Sequence, residues 1–342
     1  MSIISGINTK DISVIVQGAV NKKLTPQCLN SIRKYLPKAE IILSTWKESD
    51  ISDLDYDKLV LNDDPGTGRV SFISKNYNTN RQIVSTSRGL SSCTKKYALK
   101  IRTDAQIKNV NFIKAFIWAE NNLKKRNNLY KFFRQRVIID SHYARDPYSS
   151  SFFARCFHPS DLWFFGLTTD LSDLFNLPLQ NEYSVNINNE NYVKRVPEQH
   201  IWYEFCKKNG VTAILNHECD LNADAKQITV DTIVNNFFIL DHKKCGISFP
   251  ESIKKLDKKI VEDSIINSER FFDLYRQNCD ISYKTPIKFK KIAEVLGIKK
   301  YCVQTVESWQ VLKKILILPI YILKITYKIL LNFHKLRGYF KW

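Results

Sequence analysis

The stretch that decides the fold is Tyr97–Ile107, YALKIRTDAQI. Tyr97, Leu99 and Ile101 alternate along its first half, the period of a strand with a buried face. The strand ends on Asp104, beside Arg102 and Thr103, where a loop begins. A carboxylate at that point is best understood from the segments around it.

Upstream, Ile12–Gln17, ISVIVQ, is an almost continuous β-branched run closed by Gly18, the pattern of a strand buried on both faces. Pro26 then opens PQCLNSIRKYLP, where Cys28, Leu29, Ile32 and Leu36 recur at helical spacing until Pro37 ends it. AEIILSTW supplies a second apolar strand over Ile41–Thr45, and KLVLNDDPG a third, ending in Asp63-Asp64-Pro65-Gly66. A polar loop, Thr67–Thr79, leads to a predicted helix over Asn80–Leu90, and YALKIRT is the fourth strand. This order predicts an α/β fold with a mostly parallel sheet flanked by helices. Ligands of such sheets bind outside the carboxyl ends of the strands. Here those ends are all polar: Gln17-Gly18, Ser44-Thr45, Asp63-Asp64 and Thr103-Asp104.

Further on, RVIIDS and DLWFFG read as strands, VPEQHIWYEFCKK as a helix with Pro197 in its first turn, and VTAILNHECD as another strand. Residues 250–300 read as a lysine-rich helical connector. The expected organisation is a domain over 1–245, a helical connector over 246–308 and a basic tail over 309–342.

The chain has 342 residues, 44% hydrophobic and 12% aromatic, enough for a sizeable core and too apolar for wholesale disorder. Its net charge of +18 calls for an anionic partner. The eight cysteines form no CxxC pair, which points to reduced thiols in a cytosolic compartment rather than a disulfide frame. The opening MSIISGINTKDISVIVQG lacks the basic and apolar regions of a secretory leader.

One strand-end carboxylate with bases beside it suits a nucleotide diphosphate. The carboxylate can hold a divalent metal, Mg2+ or Mn2+, that neutralises the pyrophosphate. Arg81 and Arg88 lie two helical turns apart and can clamp phosphate oxygens. Asp63 or Asp64 can accept hydrogen bonds from a base or ribose, and Gln17 and Ser44 complete the donor-binding edge. In FHPSDLWFFG and RVPEQHIW, Glu198 is the first candidate and Asp161 the second for a base acting on an acceptor hydroxyl. His217, in LNHECD, is a candidate second metal ligand beside Asp104. Each also has an ordinary structural use: turn or cap for Asp104, Asp63-Asp64 and Asp161, a solvated helix face for the arginines, and complementing a helix dipole for Glu198.

Taken together, ISVIVQG, CLNSIRKYLPKAEIILSTW, LDYDKLVLNDDPG, NTNRQIVSTSRGL, YALKIRTDAQI, FHPSDLWFFG and VPEQHIW closely resemble the WavE lipopolysaccharide synthesis family of bacteria, from about residue 11 to 245. The resemblance implies a glycosyltransferase-like protein that builds surface polysaccharide. The order of segments also looks like the GT-A nucleotide-sugar fold, whose fourth strand ends in a DxD-type metal motif. This chain reads RTDAQ there, with Arg102 or Ala105 in place of one aspartate, so Arg102 and Lys100 can supply part of the missing positive charge.

Residues 309–342 hold seven Lys or Arg and no Asp or Glu. Their longest charge-free run, Ile315–Leu323, is far short of the ~20 residues that span a bilayer. Lys313, Lys324, Lys328 and Lys335 fall on one narrow helical stripe, with aliphatic and aromatic residues around the rest. Such a helix lies in an anionic membrane interface; packing on the domain or on a partner subunit is the other use. The sequence reading is therefore a glycosyltransferase that is cytoplasmic and peripheral on the inner face of the membrane. It would move a sugar from a nucleotide-sugar donor to a lipid-linked or lipopolysaccharide-core glycan. A phosphotransferase of sugar- or alditol-phosphate in capsule or O-antigen synthesis, and a non-catalytic membrane-docked scaffold, are the alternatives. Nucleic acid is disfavoured, because the charge concentrates in an aliphatic tail and not along an aromatic-lined groove.

Overall fold

Every residue of Ile12–Gln17 (β1) is buried, as its β-branched composition demands. In the computed structural model of the chain, which describes residues 3–4, 6–250 and 264–283, β1 lies inside a seven-stranded sheet. The others are β2 (Glu40–Trp46), β3 (Lys58–Asn62), β4 (Tyr97–Arg102), β5 (Val137–Asp140), β6 (Phe164–Leu167) and β7 (Phe237–Leu240). Their order is β7-β5-β6-β4-β1-β2-β3. β1 is parallel to β2 and β4, β2 to β3, and β5 to β7. β6 alone is reversed, antiparallel to both β4 and β5. This is the mostly parallel α/β sheet expected from the sequence.

The helices are α1 (Leu24–Tyr35), α2 (Thr79–Ser91), α3 (Asn111–Asn122), α4 (Thr168–Phe175), α5 (Pro197–Lys208), α6 (Ala223–Asn236) and α7 (Ser268–Asn278). Phe112 and Phe116 of α3 pack edge-on against Phe165 on the face shared by Leu99. The opposite face, with Ile15 and Phe164, takes α2 and α4. There α2 comes unusually close, because a Cβ on Gly89 would sit 2.4 Å from Ile15 Cγ2. Phe271, Phe272 and Tyr275 of α7 belong to the same core as β1 and β4, and Ile247–Ser248 pairs with Gln106–Ile107.

Two segments differ from the sequence reading. VTAILNHECD forms no strand. Its backbone is satisfied by side chains instead, with Tyr203 Oη donating to Ala213 O and accepting from Leu215 N. The polar loop 67–79 contains a hairpin, Gly68–Val70 with Lys75–Tyr77, whose Val70 and Tyr77 form a small second core with Val193. The tail over 309–342 and most of the connector over 246–308 lie outside the described residues.

Candidate functional site

At the carboxyl edge of the sheet, a cleft of about 490 Å3 opens above β2, β1 and β4. It coincides with the point where strand order reverses: β2 follows β1 on one side, whereas β4 lies on the other. Loops diverge there and leave a crevice.

Its floor is the turn after β1. Gly18 has φ +113, a left-handed conformation that favours glycine. Thr103 holds this turn against β4, its N–H donating to Gln17 O at 3.1 Å and its Oγ1 to Ala19 O at 2.7 Å. Gln17 lines the cleft, with Oε1 accepting from Ser85 Oγ at 2.7 Å, so its amide N–H groups remain for a ligand. Asn21 Oδ1 accepts from the N–H groups of Lys23 and Leu24, so the start of α1 is already capped.

Two arginine–aspartate pairs line the walls. Arg102 donates through Nε and Nη2 to the two oxygens of Asp104, at 2.8 and 2.7 Å. Arg81 does the same to Asp64, at 2.7 and 2.5 Å, and its Nη1 donates to Asn78 Oδ1 at 3.1 Å. The Arg81 hydrogen bonds hold Asp64 below the usual carboxylate range. Burial works against charge on Arg102, but the bonds to Asp104 outweigh it and keep the guanidinium protonated.

Lys100 is wholly buried in β4, with Nζ donating to Asp161 O at 2.6 Å and lying 5.4 Å from the Phe164 ring centroid. Burial pulls its pKa down to about 7, against the charge of Asp161. Because β6 is reversed, the segment leading into it reaches the same sheet edge as the ends of β1 and β4. That is how Asp161 arrives in the cleft. Asp140, at the end of β5, holds this segment on both sides: Ser160 Oγ donates to Oδ1 at 2.6 Å and Trp163 Nε1 to Oδ2 at 2.7 Å.

Glu198, at the start of α5, is not in the cleft lining but interacts electrostatically with Asp161. Burial first, and then the Asp161 charge, push its pKa up to about 8. His158 lies alongside, Nε2 4.0 Å from Glu198 Oε2. Burial and the charges of Arg145 and Arg155 lower His158 to about 3, and Nδ1 faces Tyr143 O at 2.9 Å. At neutral pH this contact joins two uncharged groups and is not an ion pair.

Gln17, Arg81, Arg102, Asp104 and Asp161 therefore meet at one cleft. Ser44 is fully buried below it, Oγ donating to Ser85 O and accepting from Asn62 Nδ2. Asp63 turns outward to Lys47 Nζ at 2.7 Å, and Asp64 takes the cleft position. Arg88 is exposed on α2 away from the lining. His217 stacks on Tyr192 at 4.2 Å, and its Nδ1 accepts from Cys219 N. Trp46 also lines the cleft. Its position as the last apolar residue of β2 gave no sign of this in the sequence.

A metal fits these residues poorly. Both oxygens of Asp104 are taken by Arg102, and a hard divalent cation needs several oxygen ligands. Among the described residues, no group of three or more His, Cys, Asp or Glu is gathered to hold one. Nor is any helix among them long and apolar enough to cross a membrane.

Two solved structures of S. aureus TarS are similar to the chain. One is matched at 11% identity over 78% of this chain and 42% of that one, with a TM-score of 0.35. The other, TarS 1–349, is matched at 12% identity over 84% and 79%, with a TM-score of 0.33. The chain thus spans about two fifths of the length of the first. No curated protein matches it. The family model described as WavE lipopolysaccharide synthesis matches residues 12–304, a range that includes every residue of the cleft. The chain belongs to the WavE lipopolysaccharide synthesis family.

Proposed function

We propose that the chain is a glycosyltransferase of surface polysaccharide synthesis, using a nucleotide-activated sugar and a lipid-linked or core glycan acceptor. The observation that carries this reading is the order of chemistry along the sheet edge. Trp46 ends β2, Gln17 ends β1, Arg102 ends β4, and Asp161 enters β6. Neighbouring strands are about 4.8 Å apart. An aromatic, an amide, a basic and an acidic position then follow one another over the length of a nucleotide-sugar.

In this reading the base stacks on Trp46, and Asp64 accepts from the ribose hydroxyls. Arg81, Arg102 and Lys100 take the diphosphate. The acceptor hydroxyl attacks the anomeric carbon as the bond to the phosphate oxygen breaks, and the electron pair leaves with the nucleoside diphosphate. The acceptor's proton passes to Glu198 through Asp161, which lines the cleft. The cations stabilise the charge that builds on the departing phosphate.

A screen of nucleotide-sugars with purified protein tests this, with the released nucleotide as readout. Nucleoside diphosphate is expected. Release of monophosphate would instead favour transfer of a sugar phosphate, and no turnover on any donor or acceptor would leave a scaffold. Trp46→Ala should raise the donor KM about tenfold, the loss of one stacked base, with kcat nearly unchanged; an unchanged KM would remove Trp46 from the donor site. The basic tail is proposed to keep the enzyme on the inner membrane face, so deletion of 309–342 should shift it from membrane to soluble fractions on sedimentation.

A further inference from the structure

We propose that the cleft binds its nucleoside diphosphate without a divalent metal, using Arg102 and Arg81 as the phosphate ligands and Asp104 and Asp64 only to aim them. The inference rests on the donor-site reading above and adds what holds the phosphates and what the strand-end aspartate does.

Three observations lead to it. First, Asp104 spends both oxygens on Arg102, and Asp64 both on Arg81. An arginine held bidentately through Nε and Nη2 has its fork fixed in one plane. Its Nη1 N–H groups then face away from the carboxylate. Arg102 keeps that edge for the cleft, and Arg81 shares it with Asn78 Oδ1 at 3.1 Å. Second, the pairs come from different elements. Arg102 and Asp104 bracket the end of β4, whereas Arg81 sits in the first turn of α2 and Asp64 follows β3. The two forks therefore approach the cleft from different elements, as needed to grip two phosphates. Third, Lys100 is a third cation at the same place, buried and without a carboxylate hydrogen bond of its own, held by the carbonyls of Asp161 and Leu162. An incoming polyanion adds to the Asp161 charge that already favours the protonated lysine. The three basic side chains of the lining balance its three aspartates, Asp64, Asp104 and Asp161, so the diphosphate is met by the arginine N–H edges turned into the cleft, a role otherwise filled by a metal.

The aspartates are therefore positioning residues and the arginines the binding ones, which gives opposite expectations for variants. Calorimetric titration of the full chain with UDP, GDP, CDP, ADP and dTDP, in EDTA and again with Mg2+ or Mn2+, separates the cases. One nucleotide should bind in EDTA, with Kd changing less than about twofold on adding metal. Arg102→Lys, which cannot present a bidentate fork, should weaken binding tenfold or more, and Arg81→Lys similarly. Asp104→Asn keeps one of the two acceptors that aim Arg102 and removes a negative charge, opposing effects that should leave its Kd within about threefold. Unfolding curves for each variant confirm that the chain is folded. Binding that appears only with metal and is lost in Asp104→Asn would overturn the inference while leaving the donor site intact. Failure of every nucleotide to bind, with metal or without, would instead overturn the donor-site reading itself.

Discussion

Glu198→Gln should lower kcat by about a hundredfold to ten-thousandfold, the range for a lost general base, while donor KM stays nearly constant. Glutamine matches the shape of the protonated acid but cannot take a proton. The group is poised for this work: burial and Asp161 raise its carboxyl to about 8, with Arg145 and Lys75 opposing, and neutral His158 beside it adds no charge. Wild-type kcat/KM should therefore rise with pH until about 8 and then level off, and the variant's residual activity should lack that rise. Stability should move the other way. Between the ordinary glutamate value of 4.5 and about 8, the folded carboxyl keeps its proton and the unfolded one has lost it. The unfolded state then binds fewer protons, so wild-type stability falls as pH rises through this window. The variant escapes that loss, and its Tm advantage should widen from pH 5 to pH 8. A Tm gap independent of pH, or full activity in the variant, would remove Glu198 from the chemistry.

The largest effect on stability should come from Arg136. It is 1% exposed, and its guanidinium donates to Val234 O at 3.1 Å, Leu123 O at 2.5 Å and Lys125 O at 3.0 Å. Leu123 caps the carboxyl end of α3, and Val234 lies in the last turn of α6. One cation thus collects carbonyls from two helix ends, where the dipoles favour positive charge. It also lies 5.3 Å from the centre of the Tyr275 ring on α7. Arg136→Met fills similar space but orphans these acceptors, at about 1–3 kcal/mol each. A total of about 3–5 kcal/mol is expected, which for a chain this size lowers Tm by about 4–7 °C. Arg136→Lys should fall between, since a single ammonium cannot reach all three carbonyls with fork geometry. A methionine variant within about 2 °C of wild type would show that the helix ends are satisfied another way.

The parallel half of the sheet was legible because strands buried on both faces must be apolar at nearly every position, and β1 and β2 are. Helix α5 was legible from Pro197, and α2 from its apolar spacing. The direction of β6 was not, because alternation of side chains is the same whichever way a strand runs. VTAILNHECD misled for a related reason: an apolar run shows burial, and here the burial is against α5, with Tyr203 taking the place of a neighbouring strand. In the cleft, adjacent Asp63 and Asp64 could not be told apart, since only the turn decides which one faces inward. Ser44 read as a polar strand end, yet its hydroxyl serves to anchor α2 through Ser85. Lys100 carried the opposite signal, a charge in the middle of an apolar strand, and proved to be wholly buried at the base of the site.

The reversed strand divides the cleft into two halves of different origin. One half consists of residues at or just after the ends of β1, β2, β3 and β4 and at the start of α2. The other half, Asp161 and Leu162, arrives from outside, along the excursion 141–163 that ends in β6. Lengthening or reshaping that excursion at its exposed tip, where Phe152 is 82% accessible, shifts no residue that follows β1, β2 or β4. The strand-end residues of the cleft can therefore stay fixed while the segment that brings Asp161 to them changes.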